Sequence, residues 1–315
     1  MKNPALLHSI GNFPAVVKRF YLERYAKGCN RGERCGAFVR QGVCEGGHHW
    51  VKVLYCGREW CPTCREVLHK RRFARLLPKV LKMKKFGYFV FTIPEEMRAY
   101  FSNKEALNEL RTYVRRKLKR MFPGARGIMR WHWFGDEDWT KYHPHLNVLV
   151  EGLSYLPEDE LERIKKDYKA FLEKVTGVSL GEKKVSVRYS YHYDKKKLLH
   201  KLKYITRPTF RVNPEFYEPL RPLAEALKGY RNTTLWGRWE KPTEDELERI
   251  ALAYEGFVLG QKAKGDRRPY ELFLLHHNIC PLCRRKIIWL KGVSSGGIPA
   301  HHENFGDGFY LVKSH

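Results

Sequence analysis

Glutamine is nearly missing from this 315-residue chain, which holds Gln41 and Gln261 and no other. With lysine, arginine and glutamate abundant, scarcity of a heat-labile amide is a feature of thermophilic proteins. Also missing is any stretch of about 18 uncharged apolar residues, which excludes a membrane-spanning helix. The N-terminus lacks the basic-then-apolar pattern of a secretory signal, so a cytoplasmic location is expected. Acidic side chains are the minority charge: 34 Asp+Glu face 60 Lys+Arg, for a net charge of +26. Such a field recruits polyanions, and nucleic acid is the expected partner. What the chain does have is 43% hydrophobic and 14% aromatic residues, enough for a folded core and two or three domains.

The eight cysteines form two clusters, Cys29, Cys35, Cys44, Cys56, Cys61 and Cys64, then Cys280 and Cys283. Without a secretory signal, clustered Cys-x-x-Cys spacing points to metal and not to disulfides. Cys61-Pro62-Thr63-Cys64 places two thiolates on one ion, and tetrahedral zinc needs two further ligands. Cys35, Cys44, His48, His49 and Cys56 are the candidates, more than one ion requires. A short, loop-rich module gains from Zn2+ folding energy that its small core cannot supply. Arg58, Arg65 and Arg71 lie nearby and make this module a candidate DNA holder. With a helix expected within residues 1–28, residues 1–80 read as a helical and zinc-binding module.

The middle of the chain, residues 81–212, centres on His143-Pro144-His145 running into the apolar stretch Leu146–Val150. Side chains alternate along a strand, so both imidazoles face one way. Gly127–Gly135 is a second strand-like run, and Asp136–Lys141 could turn one onto the other as an antiparallel hairpin. His132 would then complete a three-histidine metal site; the alternative is a surface histidine pair beside an aromatic strand. Phe86–Pro94 reads as a buried strand, 104–121 as a helix carrying Arg115 and Arg116 for phosphate contact, and Lys183–Tyr193 as a half-buried strand. Asp194 caps a helix that runs to Pro208 and puts His200 and Tyr204 on one face, flanked by Lys197 and Lys201. A tyrosine displayed there could attack a phosphodiester, or could simply pack at a helix end. The order predicts an α+β fold, an antiparallel sheet with helices on one face.

Residues 213–315 read as a basic helical C-terminal region. Cys280-Pro281-Leu282-Cys283 is half a zinc knuckle, with His276, His277, His301 and His302 as the available partners and two free thiols as the alternative.

Three motifs, in order, resemble the HUH endonucleases, which nick single-stranded DNA with a tyrosine. They are Phe89-Val90-Phe91-Thr92-Ile93-Pro94, His143-Pro144-His145, and His200 through Arg207 around Tyr204. Trp131-His132-Trp133-Phe134-Gly135 and Cys56-Gly57-Arg58-Glu59-Trp60-Cys61-Pro62-Thr63-Cys64 are similar to stretches of rolling-circle insertion-sequence transposases. The resemblance covers residues 29 to about 210. It implies a ferredoxin/RRM-like core and a Mn2+ or Mg2+ ion on His132, His143 and His145. It also implies attack by Tyr204 to give a 5′-phosphotyrosine, with Arg207 as the basic residue beside it. Where two-tyrosine members carry a second tyrosine, this chain has His200, a candidate general base. A single tyrosine resembles plasmid or viral rolling-circle replication initiators, which act at a replication origin alongside host replication proteins. A transposase with the same chemistry, and a non-catalytic zinc-containing DNA-binding regulator, are the alternatives.

Overall fold

A computed structural model describes residues 35–61, 65–138, 140–153, 155–210, 220–259, 269–292, 294 and 297–313. The helix expected within residues 1–28, together with Cys29 and Cys64, lies outside them. The protein is α+β, with ten strands, seven α-helices and two antiparallel five-stranded sheets among the described residues. Its contacts divide the chain differently from the three consecutive segments read above. One compact unit comprises Met1–Gly57, Thr63–Pro78 and Pro242–His315, and the other Arg58–Pro62 and Lys79–Lys241.

The first unit is made from both ends of the chain. Strands β1 (Phe38–Cys44) and β2 (His49–Leu54) form a hairpin; β8 (Ile287–Trp289) adds to β1, and β10 (Phe309–Val312) and β9 (His302–Gly306) add to β2. Cys44, Trp50, Leu275, Cys280, Ile287, Phe305 and Phe309 make one small core here. Most of helix α1 (Arg65–Val80), α6 (Glu244–Leu259) and α7 (Pro269–His276) belong to this unit. Thr243 and Glu246 start α6 with reciprocal backbone–side-chain bonds at 3.2 and 3.0 Å, the capping box that Thr-x-x-Glu encodes.

The second unit holds the sheet β6-β3-β5-β4-β7. Its strands are β3 (Phe86–Thr92), β4 (Gly127–Phe134), β5 (Tyr142–Glu151), β6 (Val187–His192) and β7 (Thr233–Trp236). The β4–β5 hairpin forms as its sequence suggests, with His132 directly opposite His145. On one face, Phe89, Phe91, Met129, Trp131, Leu146, Val148 and Val187 pack with Leu107, Leu110, Val114 and Leu118 of α2 (Lys104–Met121). Ile164, Tyr168 and Leu172 of α3 (Glu158–Thr176) complete this core. These helical residues recur at three- and four-residue spacing, so each helix presents one apolar stripe to the sheet.

The opposite face is the more polar, because alternation along the paired strands brings Tyr88, Thr92, Arg130, His132, His145, Asn147, Arg188 and Ser190 to it, beside Val90, Ile128 and Leu149. The fourth helix, α4 (Lys195–Thr206), lies over this face, and the short α5 (Arg221–Ala226) follows it in the chain. The expectation of helices on one face is therefore corrected: α2 and α3 share a face, and α4 takes the other. Asp194 caps α4 by accepting the Lys196 N–H at 2.7 Å.

Candidate active site and candidate metal centre

A cavity of about 560 Å³ lies between the polar face and α4. Thr92, His143, His145 and Arg188 line it from the sheet, Asp136 from the hairpin turn, and His200, Lys201 and Tyr204 from the helix. Residues four apart on a helix point the same way, which is why His200 and Tyr204 arrive together. The Tyr204 hydroxyl donates to Asp136 Oδ2 at 3.3 Å and accepts from Arg207 at 3.2 Å. Arg207 in turn pairs with Asp136 Oδ1 at 2.5 Å, and its guanidinium lies 4.1 Å from the centre of the Tyr204 ring. Lys201 sits 4.5 Å from the Tyr88 ring, and burial lowers its pKa.

Carbonyl oxygens only accept, so they fix two imidazole tautomers. His145 gives its Nδ1 proton to the His143 carbonyl at 3.0 Å, which leaves Nε2 bare. His132 gives its Nε2 proton to the Ile205 carbonyl at 3.1 Å, and its buried Nδ1 has no hydrogen-bond partner among the described residues. Burial pushes all three imidazoles down, with additional repulsion from neighbouring imidazoles or arginines: His145 to about 4, His143 below its ordinary value, and His132 well below it. Neutral imidazole is the ligand form, and an N–H given to a carbonyl is how metal-binding histidines are usually held. His143 and His145 ring centres are 5.8 Å apart, and His132 and His145 5.3 Å. Their ligand nitrogens do not all lie within 4.8 Å of one another. They are neighbours, with His145 Nε2 and His132 Nδ1 left without a proton, and His132 is anchored to the end of α4.

On the same face of the sheet, outside the cavity lining, sits a residue that the periodicity of β4 conceals. Arg130 is 1% exposed. It donates to Glu59 at 3.0 and 3.1 Å, to Thr233 at 2.8 Å and to the Arg207 carbonyl at 3.4 Å. Asn147 joins this layer by accepting from Tyr88 and donating to the Arg130 carbonyl at 3.4 Å. Charged and amide residues inside a strand-like run were the available signal, since they stay buried only when partnered.

In the first unit, Cys44, His48, Cys280 and Cys283 place their ligand atoms within 4.8 Å of one another, and this group could hold a metal ion. Cys44 Sγ is 3.3 Å from both His48 Nδ1 and Cys283 Sγ, and Cys280 Sγ is 3.7 Å from His48 Nδ1. Tetrahedral ligands on bonds of about 2.0–2.3 Å stand roughly 3.5 Å apart, so the four fit a zinc-sized ion. Burial pushes the Cys44 thiol up to about 12, which an ion would have to overcome. The approach is close: a Cβ on Gly46 would lie 2.9 Å from Cys283 Sγ.

The expected completion of Cys280 and Cys283 is thereby corrected. Cys280 and Cys283 are completed by Cys44 and His48, and not by His301 or His302, whose strand end lies elsewhere in the sheet. His49 is the first residue of β2 and outside the group. Cys35 and Cys56 stand apart from it, with the Cys56 N–H 3.5 Å from Cys35 Sγ, and Cys61 belongs to the 58–62 segment of the other unit. Arg65 and Arg71 lie on α1. Arg115 and Arg116 are exposed on α2, across the sheet from Tyr204, so the structure does not bring them to the cavity. Arg58 packs 6.0 Å from the Trp60 ring, and Lys197 lies on α4.

Searches of family models, curated proteins and solved structures return no match for this chain. No helix among the described residues is long and apolar enough to cross a membrane.

Proposed function

We propose that the protein nicks and rejoins single-stranded DNA with Tyr204 as nucleophile, as an initiator of rolling-circle replication. The observation that carries this reading is the meeting of Tyr204, Arg207 and Asp136 in a cavity lined by His143 and His145. Asp136 is placed to accept the phenol proton, and Arg207 to stabilise the phenolate oxygen as it approaches phosphorus. The Tyr204 oxygen–phosphorus bond forms, the bond from phosphorus to the 3′ oxygen breaks, and that oxygen takes a proton from water or from protonated Asp136. One phosphodiester is exchanged for another, so the step can run backwards and rejoin strands. His143 and His145, with the bare Nδ1 of His132 nearby, are the residues that would hold Mn2+ or Mg2+. When bound, the ion supplies charge stabilisation to the phosphate oxygens. His200, on the cavity wall, is the candidate base for a water molecule or second strand in the closing step. Zinc at Cys44, His48, Cys280 and Cys283 is structural in this reading.

The test uses labelled single-stranded oligonucleotides incubated with the protein and Mn2+, then resolved under denaturing conditions. A covalent protein–DNA band that disappears in Tyr204→Phe is expected. Tight binding with no band under any divalent ion would favour a DNA-binding regulator, and undiminished cleavage by Tyr204→Phe would remove Tyr204 from the chemistry. Nicking at an origin, as against element ends, separates replication from transposition.

A further inference from the structure

The nucleophile's cavity has a neighbour. A second cavity of about 420 Å³ is lined by His192, Lys196, Lys197, His200 and Lys201, and it shares His200 and Lys201 with the first. Its wall is the corner where β6 turns into α4, and four of its five lining residues are the exposed and half-exposed face of the helix's first two turns. Asp194, at the start of the helix, accepts the Lys196 N–H as its cap and is not among the residues that line the cavity. The lining is therefore cationic or imidazole throughout.

Around the edge strand β6, on the side of the sheet that alternation gives to Tyr189 and Tyr191 and not to Ser190 and His192, is an aromatic surface. Tyr193, between β6 and α4, is 77% exposed, Tyr155 is 67% exposed and Tyr191 42%. Tyr155 and Tyr191 meet edge to face at 6.2 Å. β6 is an edge strand, so Tyr191 and Tyr193 stand at the open border of the sheet. Large aromatic faces left in water across the sheet edge from a cationic groove match the two demands of an unpaired strand that wraps this edge: lysines for successive phosphates and flat rings for the bases. A duplex offers the phosphates but keeps its bases stacked inside.

We propose that the β6–α4 corner is the track for the single-stranded DNA segment flanking the bond that Tyr204 attacks. Lys196, Lys197 and His192 contact phosphates, Tyr193 stacks a base, and the Tyr191–Tyr155 pair receives the strand as it leaves over the sheet edge. The position relative to the scissile bond rests on the nicking function proposed above; the binding does not, so the two can fail separately.

The test is made on the full chain carrying Tyr204→Phe, with fluorescently labelled oligo(dT), since stacking tolerates any base. Anisotropy is read across a salt series. Tyr193→Ala is expected to weaken binding about fivefold or more, as loss of one stacked base does. The Lys196→Ala/Lys197→Ala variant is expected to flatten the salt dependence by about 1.4 in log–log slope, two phosphates at about 0.7 each. All three side chains are exposed, and an unchanged circular dichroism spectrum confirms folded variants. Unchanged affinity in Tyr193→Ala together with an unchanged salt slope would overturn the track. A lysine effect without a tyrosine effect, equal on duplex and single strand, would also overturn it by reducing the corner to a general polyanion patch. Binding that follows the expected pattern in a protein that never nicks would keep the track and remove the enzyme.

Discussion

The guanidinium of Arg130 lies on Glu59 at 3.0 Å on the polar face of the second sheet, with Arg130 1% exposed. Through the same nitrogen it also reaches the Arg207 carbonyl, next to the end of α4. Removing one partner of a buried pair strands the other charge, at a cost of about 3–5 kcal/mol. Glu59→Gln or Arg130→Ala should lower stability by roughly that amount in denaturant titrations. The double replacement Glu59→Leu/Arg130→Met should cost less than the sum of its parts. Strictly additive losses would mean that the two residues act independently.

Asp136 and Arg207 bracket the Tyr204 hydroxyl. Asp136→Asn keeps the shape, removes the proton acceptor and leaves Arg207 without its counter-charge. Covalent complex formation should fall about a hundredfold or more, the usual loss for a positioned base, with oligonucleotide affinity unchanged. An equal fall in affinity and rate would instead place Asp136 in strand binding.

The site histidines make stability depend on pH in one direction. His132, His143 and His145 titrate below 6.5 in the folded protein, with His145 at about 4. Unfolded, they titrate near 6.5. Between these values the unfolded chain binds more protons, so stability is complete above about pH 6.5 and declines as pH falls towards about 4. The His145 shift alone corresponds to about 3 kcal/mol. Equilibrium unfolding at several pH values, on the wild type and on His145→Gln, checks this: the variant should show the shallower slope. A wild type that gains stability on acidification through this window would show that these imidazoles are charged when folded.

Metal at Cys44, His48, Cys280 and Cys283 would tie together residues 232 and 239 positions apart in pairs. Chelation should therefore loosen both ends of the chain at once. Cys44→Ser and Cys280→Ser should each abolish binding of the ion and lower the melting temperature by a similar amount, about 10 °C or more for a structural zinc site. His301→Ala and His302→Ala should leave metal content unchanged. Gly46→Ala should weaken the site without removing a ligand, because its Cβ would press on Cys283. Elemental analysis of each purified variant reads the result directly.

Much of the second unit is legible in the chain's local patterns. The apolar run of β5, the glycine that opens β4 and the turn between them specify a local hairpin, and the cap at Asp194 and the four-residue spacing of His200 and Tyr204 specify a helix face. Each of these signals acts over a few residues, within reach of backbone geometry and side-chain periodicity. Arg130, Glu59 and Asp136 are harder to read, because a buried charge and an exposed one look alike in sequence until the partner is known.

By itself, the sequence determined the charge of the molecule, its α+β elements and the residue types available for phosphate and metal chemistry. Tertiary structure alone decided which of those residues meet. It sent Cys280 and Cys283 to Cys44 and His48 and not to the nearer His301 and His302, and it brought Asp136 from a turn to Tyr204 on a helix 68 residues later. It also put α4 on the polar face of the sheet while α2 carried Arg115 and Arg116 to the far side. The reason is physical: ligand and acid–base pairing depends on distances of a few ångströms, and these follow from strand order and helix placement, which local sequence patterns leave open.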